Sequence, residues 1–405
     1  DRACWAVAMN DVPQGYGYST KVRFEINQNE LDEYQMAAEF LNINKADVAC
    51  VQHEYGIFGG QAGSYILKLL AELRIPVITT LHTVLAEPKA EYHSVMVRLA
   101  ELSDRLIVMS QKAIDILHNV YGIDRKKITY IPHGIPDVPF VDPSYYKEQF
   151  NVVGKKLLLT FGLLSKSKGI EYMITALQEV VKRFPDVVYI VLGATHPHVL
   201  NADGDAYRLS LQRLVNQLGL EKHVIFSSRF VTLKELSEYL AAADIYITPY
   251  IDEAQITSGT LAYAMGSGKP VISTPYWYAQ EMLDDERGLL VPFKDSQALS
   301  ESLIDLLTHE DKRQSIRKRA YDFCRSATWD KVALSYLKVF NEVKEERKLR
   351  PHPSRPAPRL IQDIVFGSGL PALKFEHLLA MTDDTGVFQH AKYTLPNREE
   401  GYCVD

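Results

Sequence analysis

At 405 residues, with 46% hydrophobic and 24% charged side chains, the chain has an ordinary globular composition and the length of about two or three domains. Its formal net charge is -6, with acidic and basic residues interspersed. That leaves no basic face for a nucleic-acid backbone or an anionic membrane and excludes polyanion binding as its main task. The cysteines, Cys4, Cys50, Cys324 and Cys403, show no CxxC spacing, which reads as thiols in a reducing compartment rather than a disulfide framework or a zinc site. No apolar run approaches the roughly 18 residues of a membrane span, and the N-terminus lacks a basic segment followed by an apolar one, so no transmembrane segment and a cytoplasmic location are expected.

Residues 5–9 read as a buried strand immediately after Asp1, which suggests that a first strand-helix unit is missing. Beyond them, short apolar runs alternate with helical periodicity, the signature of parallel sheets with crossover helices. Strands are predicted over 46–52, 76–81, 105–109 and 127–131, with helices over 64–74, 94–103 and 110–121, the last opened by Ser110 as N-cap. These make an N-terminal Rossmann-like domain, residues 1–140. Pro132, Gly134, Pro136, Pro139 and Pro143 then break both regular elements and read as an interdomain connection.

A second domain, 141–347, carries strands over 156–162, 187–193, 223–226, 245–249 and 270–274. Helices over 169–184, 207–218, 233–242 and 259–266 lie between them, and helices over 296–309, 311–326 and 329–347 close it. The fold class is therefore α/β: two Rossmann-like doubly wound domains facing a cleft, where ligands collect at the carboxyl ends of the strands. A proline-rich linker follows at 348–359, containing PHPSRPAPR. Residues 360–405 are too few to bury a core alone and read as the start of a truncated C-terminal domain.

The most informative stretch is DIYITPYIDEAQITSGTLAYAMGSGKPVISTPYWY, from Asp244 to Tyr278. A buried strand ends at Pro249, a polar loop follows, and Thr257-Ser258-Gly259-Thr260 opens a helix. Backbone N–H groups left over at a helix start, with the positive end of the dipole, form an anion site, and Gly259 lets a phosphate approach closely. The same residues also read as a plain N-cap by Ser258 or Thr260.

From about residue 47 to 340 the chain resembles the retaining glycosyltransferases of the group 1, glycogen-synthase-like family. The family's hallmark is a pair of glutamates before an Ala-Met-Ala-x-Gly-x-Pro-Val-Ile run. Ala264-Met265-Gly266-Ser267-Gly268-Lys269-Pro270-Val271-Ile272 matches the run, while the two glutamate positions fall on Gln255 and Tyr263. The resemblance implies a GT-B fold and transfer of a hexose from a nucleotide-diphosphate sugar to a carbohydrate or other hydroxyl acceptor, with retention. It implies that the first motif position lies against the donor sugar and the second holds the ribose. Gln255 keeps a hydrogen-bonding group there, but Tyr263 cannot copy a bidentate acceptor. Glu253 either compensates or is a surface residue. The donor is thus bound in an altered way, or the chain is a degenerate member.

In TFGLLSKSKGIE, from Thr160 to Glu171, the family reads Gly-Arg-Leu and a later Lys-Gly, whose cations neutralise the departing diphosphate. Lys168-Gly169 matches and Leu163 stands at the arginine position. Lys168 is thereby implied as a catalytic cation, or else it is a solvated surface lysine. Arg229, in SSRFV, either replaces the lost guanidinium at the donor or forms a rim salt bridge. Glu281 matches the family's Pro-Glu element and is expected at donor hydroxyls. Tyr276, Trp277 and Tyr278 before it suit stacking on a sugar or base, or pack in the core.

Thr79-Thr80-Leu81-His82-Thr83 resembles the family's Thr-x-His element, where the histidine borders the acceptor. His82 has the chemistry to relay a proton there. On the acceptor side, His53 enters a loop whose Gly59 and Gly60 permit close approach of an oxygen-rich ligand, although the spacing is weak evidence. His133-Gly134 replaces the family's Asn-Gly and reads as a hinge. No His, Cys, Asp and Glu cluster has metal spacing, and Asp203-Gly204-Asp205 has no third ligand. No metal or cofactor is expected beyond the nucleotide sugar as co-substrate. The rivals on this fold are a glycoside phosphorylase, which would use inorganic phosphate, and a non-catalytic sugar-binding module.

Overall fold

The computed structural model describes residues 4–195 and 204–349. The truncated C-terminal domain expected from residue 360, most of the linker before it and Asp203 lie outside the described residues. In chain order the elements are β1 (Ala6–Asn10), β2 (Val22–Asn27), α1 (Leu31–Ile43), β3 (Ala49–His53), α2 (Ile66–Glu72), β4 (Val77–Leu81), α3 (Ala90–Leu102), β5 (Arg105–Val108), α4 (Gln111–Asn119) and β6 (Ile128–Tyr130). There follow β7 (Lys156–Phe161), α5 (Ile170–Arg183), β8 (Val187–Leu192), α6 (Ala206–Gln217), β9 (Val224–Ser227), α7 (Leu233–Ala242), β10 (Ile245–Thr248) and α8 (Gly259–Gly266). The last are β11 (Val271–Ser273), α9 (Trp277–Met282), β12 (Leu289–Leu290), α10 (Ser296–Thr308), α11 (Glu310–Cys324) and α12 (Trp329–Leu349).

Among the described residues the strands form three sheets. β1 and β2 pair in parallel, β3 to β6 lie side by side in chain order, and six strands form a parallel sheet ordered β12-β11-β10-β7-β8-β9. In this last sheet the chain starts in the middle at β7, winds outward to β9, then returns to β10 and winds the other way. That is doubly wound topology, and the reversal lies between β7 and β10, where Leu158 pairs with Ile245 and Leu159 with Tyr246. Strand alternation decides the two faces. Leu157, Leu159 and Phe161 join α8 and Tyr239 of α7 in one core, while Leu158 joins Ile170, Met173, Ile174 and Leu177 of α5 in the other. Both faces are covered, so the strands read as continuous apolar runs.

Within the described residues the chain divides into two compact units, one from 4–79, 89–105 and 340–349, the other from 80–88 and 106–339. The boundary expected near residue 140 falls inside the second unit. The proline-dense stretch there is packed down rather than loose. Ile135 exchanges backbone bonds with Ala327 and Trp329, the Tyr321 hydroxyl donates to the Val138 carbonyl, and Arg317 donates to that of Val141. Residues that no regular ladder could use find their acceptors' partners on α11 and at the start of α12.

The first strand also departs from expectation. β1 spans Ala6–Asn10 and only Asn10 is buried, so it is not the buried strand predicted. β2 and α1 were not anticipated, although α1 carries Tyr34, Ala37, Ala38 and Leu41 as a buried stripe at helical spacing.

Candidate functional site

The carboxyl ends of β7 and β10 flank the switch point, and two loops meet there. The Ile251 amide donates to the Ser167 carbonyl at 2.9 Å, joining the loop after β10 to the loop after β7. Gly169 allows this approach: its φ is +60°, and a Cβ would lie 2.1 Å from the Pro249 carbonyl oxygen. Lys168 is thereby carried over the Tyr250 ring, with Nζ 4.2 Å from the ring centre. Lys168 is half-buried and pairs with no carboxylate among the described residues. Tyr250 was missed by the sequence analysis; an aromatic residue directly after the Pro249 strand end was the available signal.

The second loop ends in α8. Ser258, extended at φ -146°, caps the helix: its Oγ accepts from the Leu261 amide at 3.3 Å, and its carbonyl accepts from Ala262. The N-cap and the anion site are therefore not alternatives, since the cap satisfies one of the orphan donors of a helix start and leaves others. Among the described residues nothing accepts from the amides of Ser258, Gly259 or Thr260, and all three residues are buried. A buried donor without an acceptor is costly, by about 1–3 kcal/mol, so an acceptor placed at this turn would be favoured. The Thr260 hydroxyl is held between the Tyr250 hydroxyl, at 2.9 Å, and Ser258 Oγ, at 3.1 Å. Ser258→Ala removes the cap and is expected to cost about 1 kcal/mol, read as a lowered midpoint in thermal unfolding followed by circular dichroism.

The remaining donor-side residues have different fates. Gln255 is half-buried, its Nε2 donates to the Thr257 carbonyl at 3.0 Å, and nothing among the described residues donates to its Oε1. Tyr263 is buried and its hydroxyl accepts from Trp329 Nε1 at 3.3 Å, with His133 edge-on to the ring. Burial raises the Tyr263 phenol, so it stays neutral and offers no carboxylate-like acceptor. Glu281 does not stand free for a donor hydroxyl: both its oxygens accept from the Gln111 amide, at 2.8 and 3.0 Å, capping α4. Burial lifts this carboxyl above its ordinary range, and the Gln111 and Lys112 amides oppose the lift.

Arg229 takes the rim salt-bridge option, pairing with Glu235 at 2.8 Å. Glu253 is exposed. Tyr276 and Tyr278 are buried, which leaves Trp277 as the accessible member of the aromatic trio, and Lys112 lies over its ring. An apolar pocket adjoins the switch point, lined by Gly162, Leu163, Gly193, Ala194, Phe230 and Val231, with Arg229 also in its wall.

His82, half-buried just past β4, lies near His133. Burial holds the His133 imidazole below its ordinary range, and the charge of His82 acts the same way. The carbonyl of Gly134, 2.7 Å from His133 Nδ1, can only accept, so Nδ1 carries the proton of the neutral ring.

The acceptor-side expectations for His53, Gly59 and Gly60 are not supported by their surroundings. His53 is fully buried, stacked on Phe58 with Tyr55 edge-on, out of reach of a dissolved ligand. A Cβ on Gly59 would lie 1.8 Å from the Gln28 carbonyl oxygen, and the Gly59 amide donates to the Tyr34 hydroxyl at 2.9 Å. Gly60 has φ +78° and packs on Tyr65. The glycines are required by packing within their own unit. Among the described residues no three His, Cys, Asp or Glu side chains are grouped to hold a metal, and no helix is long and apolar enough to cross a membrane.

The same segments are those matched by comparison with known proteins. Residues 144–323 match the family described as glycosyl transferases group 1, and residues 25–137 match glycosyltransferase family 4. The D-inositol 3-phosphate glycosyltransferase of Corynebacterium glutamicum is 27% identical over 313 residues, covering 72% of this chain and 71% of its own. Among solved structures, Anabaena HepE in complex with UDP and glucose is similar with a TM-score of 0.64 at 18% identity, covering 78% of this chain and 85% of its own. Sucrose-phosphate synthase of Thermosynechococcus elongatus gives 0.65 at 18% identity, over 84% and 83%. At such identity the structures speak for the fold alone. With both families of sequence match and a doubly wound sheet carrying the motif at its switch point, the chain belongs to the group 1 glycosyltransferases of GT-B fold.

Proposed function

We propose that the chain transfers a hexose from a nucleotide-diphosphate sugar to a hydroxyl acceptor, with retention and without a metal. The observation that carries this reading is the turn opening α8, where buried Ser258, Gly259 and Thr260 have amides with no acceptor among the described residues, near the Lys168 ammonium, which pairs with no carboxylate among them. The diphosphate rests on those amides and on Lys168. As the bond between the sugar and the diphosphate breaks, negative charge grows on the leaving oxygen, and fixed donors there stabilise the transition state more than the ground state. Gln255 offers Oε1 to a donor-sugar hydroxyl. The apolar pocket beside Gly162 takes the flat base, and His82 borders the acceptor and moves its proton. A uridine nucleotide is the first donor to try, since HepE, similar in fold, was solved with UDP and glucose, and a D-inositol 3-phosphate glycosyltransferase among the relatives supports a hydroxyl acceptor.

One observation favours a second reading. Tyr263 stands at the position implied to hold the ribose, and its hydroxyl is engaged by Trp329. A site with no carboxylate for a ribose suits inorganic phosphate, hence a glycoside phosphorylase. Isothermal titration with UDP-, GDP- and ADP-sugars separates these. We expect one nucleotide sugar to bind and to be turned over. Phosphate-dependent release of a sugar phosphate, with no nucleotide sugar bound, would replace the transferase by the phosphorylase, and binding of free sugars alone, without turnover, would leave only a sugar-binding module.

A further inference from the structure

Resting on the transferase reading above, we propose that Tyr250 is a positioning residue of the anion site, holding the Lys168 ammonium at the diphosphate without neutralising it and fixing the start of α8 with the same side chain. Three observations converge on this ring. Its face carries Lys168 Nζ at 4.2 Å from the centre. The ring is also stacked on Tyr276, with ring centres 5.3 Å apart and planes 19° apart, and both rings are buried to 1% exposure or less. Its hydroxyl is bonded to Thr260 Oγ1 at 2.9 Å, and Thr260 is in turn bonded to the N-cap Ser258.

The chemistry of the choice is specific. A lysine can be held in place by a carboxylate, but the carboxylate then cancels the charge that a bound phosphate would otherwise meet. An aromatic face attracts the ammonium through its quadrupole and carries no net charge, so the cation remains whole. The ring is itself immobile, clamped by Tyr276 and by its own hydroxyl bond, and the backbone next to Lys168 is pinned by the Ser167 carbonyl accepting from Ile251. Two loops far apart in sequence thus present one cation and one row of amides in a preset relation, which removes the cost of ordering them when the anion arrives.

The test replaces Tyr250 with near-isosteric rings that differ in electrostatics. Tyr250→Phe serves as the reference, and phenylalanines bearing one, two and three ring fluorines at the same position weaken the face stepwise. Each is titrated with UDP, GDP and ADP, using whichever the unmodified protein binds, in the Lys168 protein and again with Lys168→Met. Equal melting temperatures across the series establish that all fold. We expect the dissociation constant to rise with each fluorine, by roughly 10-fold at three, and to stay flat in the Lys168→Met series. A flat series in the Lys168 protein, or an equal slope in both, overturns the role of Tyr250 while leaving the transferase reading intact. If the unmodified protein binds none of the three diphosphates, the transferase reading and this inference fall together.

Discussion

Lys168→Met is expected to lower kcat/KM for the nucleotide sugar by roughly 100- to 1000-fold, with the midpoint of thermal unfolding almost unchanged. The size follows from where the charge sits. Leu163 stands at the position where the family resemblance places an arginine, and Arg229 is committed to Glu235, so on the proposed function the leaving diphosphate depends on Lys168 and the α8 amides. The ammonium is half-buried over an apolar ring, in surroundings less polarisable than water, where a charge acts more strongly on its neighbours. Because the interaction grows as the leaving group gains charge, kcat should fall, and not only affinity. The stability should survive because Lys168 makes no salt bridge among the described residues. Steady-state kinetics with the donor identified by titration checks this, and Lys168→Arg, which keeps the charge, should recover part of the loss. An unchanged kcat/KM in Lys168→Met would remove the lysine from the reaction.

The second large effect concerns stability against pH. Lys269, fully buried in the matching run behind α8, donates from Nζ to the Ala241 carbonyl at 2.8 Å and to the Ala243 carbonyl at 3.1 Å, both at the C-terminal end of α7. Burial, with the charge of Arg317 acting the same way, lowers its amine to about 7. The unfolded chain therefore holds a proton on this lysine, with its ordinary pKa of 10.5, at pH values where the folded chain has released it. Stability then rises with pH between 7 and 10.5, and the contribution is lost as the pH falls through 7.

Groups with raised values set the upper limit. Burial pushes the Cys324 thiol and the Tyr130 phenol up to about 12, so above their ordinary values of 9.0 and 10.0 the unfolded chain loses protons first and stability declines. Denaturant unfolding should show a gain of about 2 kcal/mol from pH 7 to pH 9, followed by a fall. The rise should vanish in Lys269→Met, whatever that variant's absolute stability. A rise that persists in Lys269→Met would assign it to other groups.

Period and motif alone made much of this protein legible. The apolar runs of β7, β8, β10 and β11 and the 3.6-residue stripes of α5 and α7 are local properties of the chain, which a window of a dozen residues contains. The helix over Gly259–Gly266 was predicted to the residue, because Ser258 supplies the cap and Gly268 a left-handed stop just beyond it. The match of Lys168-Gly169 and of the Ala264 to Ile272 run singled out two loops, and the doubly wound sheet brings those loops to one switch point.

What periodicity could not contain is which residue meets which across the fold. Glu281 looked like a ligand of the donor until α4 presented an amide to it, and the Tyr263 hydroxyl, open in the sequence, accepts from Trp329. Gly59 and Gly60 suggested room for a ligand, whereas the Gln28 carbonyl and the Tyr65 ring fill that room. By itself the sequence determined most of the elements, their order and the chemical groups on offer, since these depend on neighbours within a turn or a strand. Only the tertiary structure decided which groups stay available, because a hydrogen bond or an ion pair made to a distant segment spends a side chain that local pattern leaves open.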